Sequence, residues 1–149
     1  VIKALEDKNY KRYKEVVFCG FGEPTMRLDV LLETARYIKK NSDLKVRINT
    51  NGHANRIAGK DVTPLMLGLV DCLSISLNAE NAKKYNDICV CDYGEDGFYE
   101  MIDFAKKAKK YVPKVVLSVV DVIGKDAIEK CRKIAADAGV EYRVREYSE

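Results

Sequence analysis

Apolar residues fall along this chain in two alternating kinds of stretch. Short β-branched runs at 15–19 (Glu15-Val16-Val17-Phe18-Cys19), 45–49, 72–77 and 115–120 read as strands, and 140–145 reads as the last one. Between them apolar residues recur at helical spacing: Leu28, Leu31, Leu32, Ala35 and Ile38, then Phe98, Met101, Ile102, Ala105 and Ala108, then Ile128, Cys131, Ile134, Ala135 and Ala138. Ile2 and Leu5 open the chain with the same spacing and no capping residue before them. Thr63 and Pro64 predict the N-cap and first residue of a short helix, and Asn78 the N-cap of a helix over 82–88. Residues 89–97 read as loop, Pro113 ends the helix of 98–110, and Gly139 is the expected C′ residue of the last helix. The nearly unbroken apolar run 115–120 predicts a strand covered on both faces.

Strands alternating with helices imply right-handed crossovers and a parallel sheet, so the fold class is α/β, one domain over 1–149 with no linker and no internal repeat. Alternation alone does not separate an open sheet from a barrel, but both gather ligands beyond the carboxyl ends of the strands. Those ends are Gly20-Phe21-Gly22-Glu23-Pro24-Thr25, Asn49-Thr50-Asn51-Gly52, Ser76 with Asn78, Asp121, and Arg145-Glu146. A rim so polar and glycine-rich suits a polar ligand of nucleotide size.

Composition narrows the classes. A chain of 149 residues builds one core, and 26 Lys+Arg against 23 Asp+Glu leave a net charge of +3 with both signs mixed, without the basic block that tracks nucleic-acid phosphates. No apolar run approaches membrane-spanning length, and residues 1–7 do not resemble a signal peptide. Five cysteines in a chain of this size point to free thiols in a reducing cytoplasm rather than a disulfide scaffold.

The Gly-Phe-Gly-Glu-Pro turn is no dinucleotide fingerprint, because Pro24 and Thr25 leave no third glycine, and no Gly-Lys-Ser/Thr makes it a phosphate loop. It reads either as a tight turn or as main chain laid open to a ligand. Asn51-Gly52 is a common turn signal. Ser74 and Ser76 share one strand face, where a hydroxyl bonds main chain or ligand. Lys45 and Arg47 share a face, as do Arg143 and Arg145, which end a strand where they can reach a carboxylate or stack on a base. His53, the only histidine, has no partners that make a catalytic or metal set and is expected in a surface loop. Cys89 and Cys91 match no common zinc spacing even with Cys19 or Cys72 and are expected to be free, and the lysines at 106, 107, 109 and 110 read as a solvated helix face.

Taken in order, Gly-Glu-Pro after one strand, Thr-Asn-Gly after the next, Ser-x-Asn after the third and the Val-x-Val-Ile-Gly stretch after the fourth resemble the radical S-adenosylmethionine (SAM) superfamily over nearly the whole chain. VVFCGFGEPT, VRINTNG, SISLNA and YRVRE look like its TatD-associated group. The resemblance implies a partial parallel (β/α) barrel, a [4Fe–4S] cluster held by a C-x-x-x-C-x-x-C loop, and SAM cleaved reductively to a 5′-deoxyadenosyl radical that takes hydrogen from a substrate. It implies that the Gly22-Glu23-Pro24 turn receives the SAM amino group through main-chain carbonyls, that Thr50 and Ser76 lie at the ribose or methionine end with Asn78 one step beyond, and that Ile123, between Val122 and Gly124, lines the adenine. Arg145 is a further candidate for SAM or substrate.

Two departures shape the expectation. Phe21 stands where the common motif has its first glycine, and no three cysteines have the cluster spacing. The chain therefore reads as a fragment with about five strands, its first strand and cluster loop upstream, inert alone, while the full-length protein needs an electron donor and an unknown substrate. Strand 15–19 is then an exposed edge, open to self-association or covered by the 1–13 segment. The alternatives are a cluster-free α/β module binding a nucleotide or a partner, and a barrel hydrolase with Glu23 and Asp121 around a metal.

Overall fold

Five strands form one parallel sheet in the order β1-β2-β3-β4-β5: β1 (Glu15–Phe18), β2 (Lys45–Thr50), β3 (Cys72–Ser76), β4 (Lys114–Val120) and β5 (Glu141–Arg145). The computed structural model describes residues 1–20, 22–90 and 92–147. Helix α1 (Ile2–Asp7) precedes the sheet, α2 (Leu28–Asn41) links β1 to β2, and α3 (Ala54–Ala58) with a 3-10 turn at Thr63–Met66 links β2 to β3. Helices α4 (Ala82–Cys89) and α5 (Asp96–Ala108) follow β3, and α6 (Lys125–Ala138) follows β4. Right-handed crossovers between neighbours taken in sequence order put every connecting helix on one face, so the sheet is an arc of a (β/α) barrel and not a doubly wound sheet.

The burial pattern agrees. Ile48, Leu73, Ile75, Leu117 and Val119 pack with Leu31, Met101, Phe104, Ala105, Cys131 and Ala135 of the helices in one core. Each such fully buried Leu, Ile or Phe contributes about 1.5–3 kcal/mol. Arg47, Asn49, Ser74 and Ser76, at alternate positions on the other face, remain half-buried. Interior strand β4 is buried on both sides over its middle five residues.

Several element ends differ from the sequence expectation. Around Thr63 the chain makes a 3-10 turn with Val62, not Thr63, at the cap position, and Asp61 Oδ1 just before it accepts from Thr63 N at 3.0 Å and Thr63 Oγ1 at 2.7 Å. Asn78 caps nothing: it sits in the left-handed region at φ 68°, and Asn81 Oδ1 caps α4 by accepting from Lys84 N at 2.9 Å. Cys89 belongs to α4, and α5 begins at Asp96, two residues before the expected Phe98. The opening helix stops at Asp7, because Asn9 turns left-handed and leads into a 3-10 turn, Tyr10–Arg12. Tyr10 then packs on Ala35, Ile38, Leu44 and Val46, on the helix side of the sheet. β1 pairs with β2 alone among the described residues.

Candidate functional site

The turns after β1, β2 and β3 enclose a hollow of about 500 Å³ lined by Gly20, Gly22, Glu23, Asn49, Thr50, Asn51, Ser76 and Asn78, with Cys19 at its margin. Its floor is fixed by one carboxylate. Glu23 Oε1 accepts from Thr25 N at 3.2 Å, Thr25 Oγ1 at 2.7 Å and Thr50 Oγ1 at 2.5 Å, while Oε2 accepts from Asn51 N at 2.8 Å. Four donors from two chain turns meet the carboxylate, three on Oε1 and one on Oε2, so Glu23 clamps the β1 turn to the β2 turn and keeps accepting capacity on Oε2 alone.

Thr50 is part of that clamp. It shares the helix-side face of Val46 and Ile48, is buried, and its hydroxyl donates to Glu23 while accepting from Gly52 N at 3.1 Å. Its polar capacity is spent inside the protein, which makes it a positioning residue at the hollow. Gly52 must be glycine: at φ 81° a Cβ would stand 2.7 Å from Met101 Cγ and 2.9 Å from Ile75 Cγ2. Gly22 also needs its φ of 91°, but nothing lies within 4 Å of where its Cβ would be. There the bare main chain faces the hollow.

The groups left unsatisfied are the ones a ligand would meet. Ser76, half-buried on the face away from the helices, makes no hydrogen bond with its hydroxyl among the described residues, and neither does the Asn49 side chain. Asn78 spends only its Nδ2, toward Cys89 Sγ at 3.3 Å. The same Asn78 borders a second hollow of about 370 Å³ whose apolar wall is Ile88, Val120, Val122 and Ile123, with Glu80 and Lys84 at its edge. Val120 in turn borders a third, of about 700 Å³, that holds Arg143, Arg145, Glu146 and Tyr147. Of the residues singled out from the sequence, Gly22, Glu23, Thr50, Ser76 and Asn78 thus share one hollow, Ile123 lies in the adjoining one and Arg145 in the next. Pro24 lies outside all three, at the first position of the 3-10 turn Pro24–Arg27, and Phe21 falls outside the described residues.

His53 corrects an expectation. It is 2 % exposed, not on a surface loop, with Nε2 2.9 Å from Gly97 O and 3.2 Å from Tyr85 Oη, and Nδ1 buried with no hydrogen-bond partner among the described residues. Among the described cysteines, Cys19 is exposed, Cys72 and Cys89 are half-buried, and Cys131 is buried. Burial pushes the Cys131 thiol up to about 11. Cys91 lies outside the described residues. Among the described residues no group of three or more His, Cys, Asp or Glu side chains is placed to hold a metal. Asp121 Oδ1 accepts from Tyr147 N at 3.0 Å, so both acids considered for a hydrolytic metal site are engaged by the protein itself.

What sequence reading missed is the clamp. A Glu directly before a proline that opens a turn is a capping signal, and Glu23 does cap the Pro24 turn, but its reach to Thr50 and Asn51 depends on β1 lying beside β2.

Residues 1–138 match the model of the Radical SAM superfamily, and the chain belongs to that superfamily. A Methanocaldococcus jannaschii protein named as a glycyl-radical enzyme activating enzyme is 26% identical over 141 residues, covering 91% of this chain and 55% of the relative. The chain spans about half the length of the curated relative it matches.

Proposed function

We propose that the rim of this radical SAM chain is a SAM-binding site and that the whole protein, of the TatD-associated kind, is a radical-generating oxidoreductase acting on its own substrate. The observation that carries the reading is the convergence of unspent polar groups beside an apolar wall. Gly22 main chain, Ser76 and Asn78 face one hollow, and Ile123 with Val120 forms the wall of the next. That division suits a ligand with a zwitterionic end, a polar middle and a flat base, since ligand sites are mostly apolar with a few placed polar groups. On this reading the Gly22-Glu23 turn takes the amino-acid end, Ser76 with Thr50 behind it takes the ribose, Asn78 marks the crossing, and Ile123 lies against the adenine. Pro24 contributes by fixing the turn, and Arg145 faces substrate.

The described residues do not fit an iron–sulfur cluster, which needs three thiolates placed together. The reading therefore has this chain bind SAM without cleaving it, with cluster thiolates supplied by sequence beyond these 149 residues and an electron donor serving the complete enzyme. Calorimetry under reducing, anaerobic conditions tests it. SAM should bind one per chain with a dissociation constant on the order of 0.1–1 mM. Ser76→Ala should weaken that binding by about three- to tenfold, the worth of one hydrogen bond. Dithionite should release no 5′-deoxyadenosine. Absence of saturable binding would contradict the reading, and a nucleotide such as ATP binding in place of SAM would favour the cluster-free module.

A further inference from the structure

The sheet face turned away from the helices carries more cationic than acidic side chains. Alternation places Lys45, Arg47, Lys114, Arg143 and Arg145 on it against only Glu15 and Glu141. Arg47 is held by Glu15, Nη1 to Oε1 at 3.7 Å. Lys114, Arg143 and Arg145 make no ion pair or side-chain hydrogen bond with any described residue. On the helices, Lys84, Lys107 and Lys130 each pair with an acid one turn earlier, Glu80, Asp103 and Asp126. On this face β5 is the strand that carries two such arginines side by side.

Arg143 and Arg145 lie opposite Ser118 and Val120 of β4 and point to the same side, about 7 Å apart along the strand. Guanidinium groups at that spacing can close on one oxyanion, each offering a fork of N–H donors. Arg143 borders two hollows, one of about 200 Å³ shared with Arg47 and Ser74, the other the hollow of about 700 Å³ shared with Arg145. Glu141 and Glu146 edge these hollows, and neither pairs with an arginine there. Val120 joins the arginine hollow to the apolar one at Ile123, so an anion held by the pair would lie next to the rim.

We propose that Arg143 and Arg145 form an oxyanion site for the substrate, which is a small molecule carrying a phosphate or a carboxylate. The inference rests on the SAM reading of the adjoining rim. It is tested by titrating the full 149-residue chain with pyrophosphate and, separately, with succinate at fixed ionic strength, following the arginine Nε–Hε resonances by NMR. Saturable shifts at Arg143 and Arg145 are expected, with affinity reduced at least about tenfold in Arg143→Gln, as for loss of a charge-assisted bond. Both side chains are exposed, so folding is retained. Binding of pyrophosphate alone identifies a phosphate-bearing substrate, and of succinate alone a carboxylate. Binding of both still supports an oxyanion site. Shifts spread evenly over the surface lysines, or undiminished in the Arg143→Gln/Arg145→Gln double variant, overturn the inference. SAM calorimetry on the same sample separates the two claims: SAM binding without anion binding overturns this site alone, and loss of both overturns the rim reading as well.

Discussion

The Glu23 carboxylate accepts the backbone N–H of Asn51 at 2.8 Å, joining two turns that are 28 residues apart in the chain. With the hydroxyls of Thr25 and Thr50 on its other oxygen, it makes the β1 and β2 turns one unit. The hollow beside them owes its shape to this contact rather than to either turn alone. Glu23→Ala is expected to cost about 2–3 kcal/mol of stability, because it removes a charged acceptor and strands buried donors. Chemical denaturation measures the loss, and faster hydrogen exchange at the Asn51 amide locates it.

Gly52→Ala is expected to destabilise by about 2 kcal/mol, since the added methyl overlaps Met101 and Ile75 in a backbone conformation that suits glycine. Met101→Ala costs stability by itself by opening a cavity. In the double variant the two losses should fall short of their sum, which a double-mutant cycle reads directly.

Much of this fold is legible from local pattern, and the reason is visible in particular residues. Ser74 and Ser76 share a face because a strand repeats every two residues, and Gly139 ends α6 at φ 73° because a left-handed cap favours glycine. Capping residues are harder to read. Asn78 and Asn81 are equally good caps by type, and only the path of the chain selects Asn81, while at Thr63 it leaves Val62 at the cap position. His53 is illegible for a different reason. Its neighbours Tyr85 and Gly97 stand 32 and 44 residues away, so nothing local announces its burial. The clamp at Glu23 has the same character, being a product of strand order.

The Asp61 carboxylate carries a pH signature. The Thr63 hydroxyl bond, the largest influence, together with the Thr63 amide and Asn55 side chain, holds the carboxyl below its usual range. A carboxylate whose folded pKa is lowered stabilises above its unfolded value, and that contribution disappears as pH falls through the folded one. Asp61→Ala should therefore cost about 1 kcal/mol at pH 7 through the lost hydrogen bonds. The melting-temperature gap to the parent chain should narrow below about pH 4.

Thiol reactivity should sort by environment. Among the described cysteines, iodoacetamide at pH 8 should modify exposed Cys19 first and Cys131 last, roughly a hundredfold or more slower, because the buried thiol is pushed up to about 11 and screened by the core. Peptide mass spectrometry over a time course reads the order. Labelling of Cys131 at the rate of Cys19 would mean that α6 opens readily from the sheet.

The most direct test of the rim as a SAM site is an amide ¹H–¹⁵N spectrum of the chain titrated with SAM. Saturable shifts are predicted at Gly22, Asn51, Ser76, Asn78 and Ile123, the residues of two adjoining hollows, with little change at Lys114 at the opposite end of the sheet. No shift at millimolar SAM, or shifts centred away from Ser76 and Asn78, would contradict it.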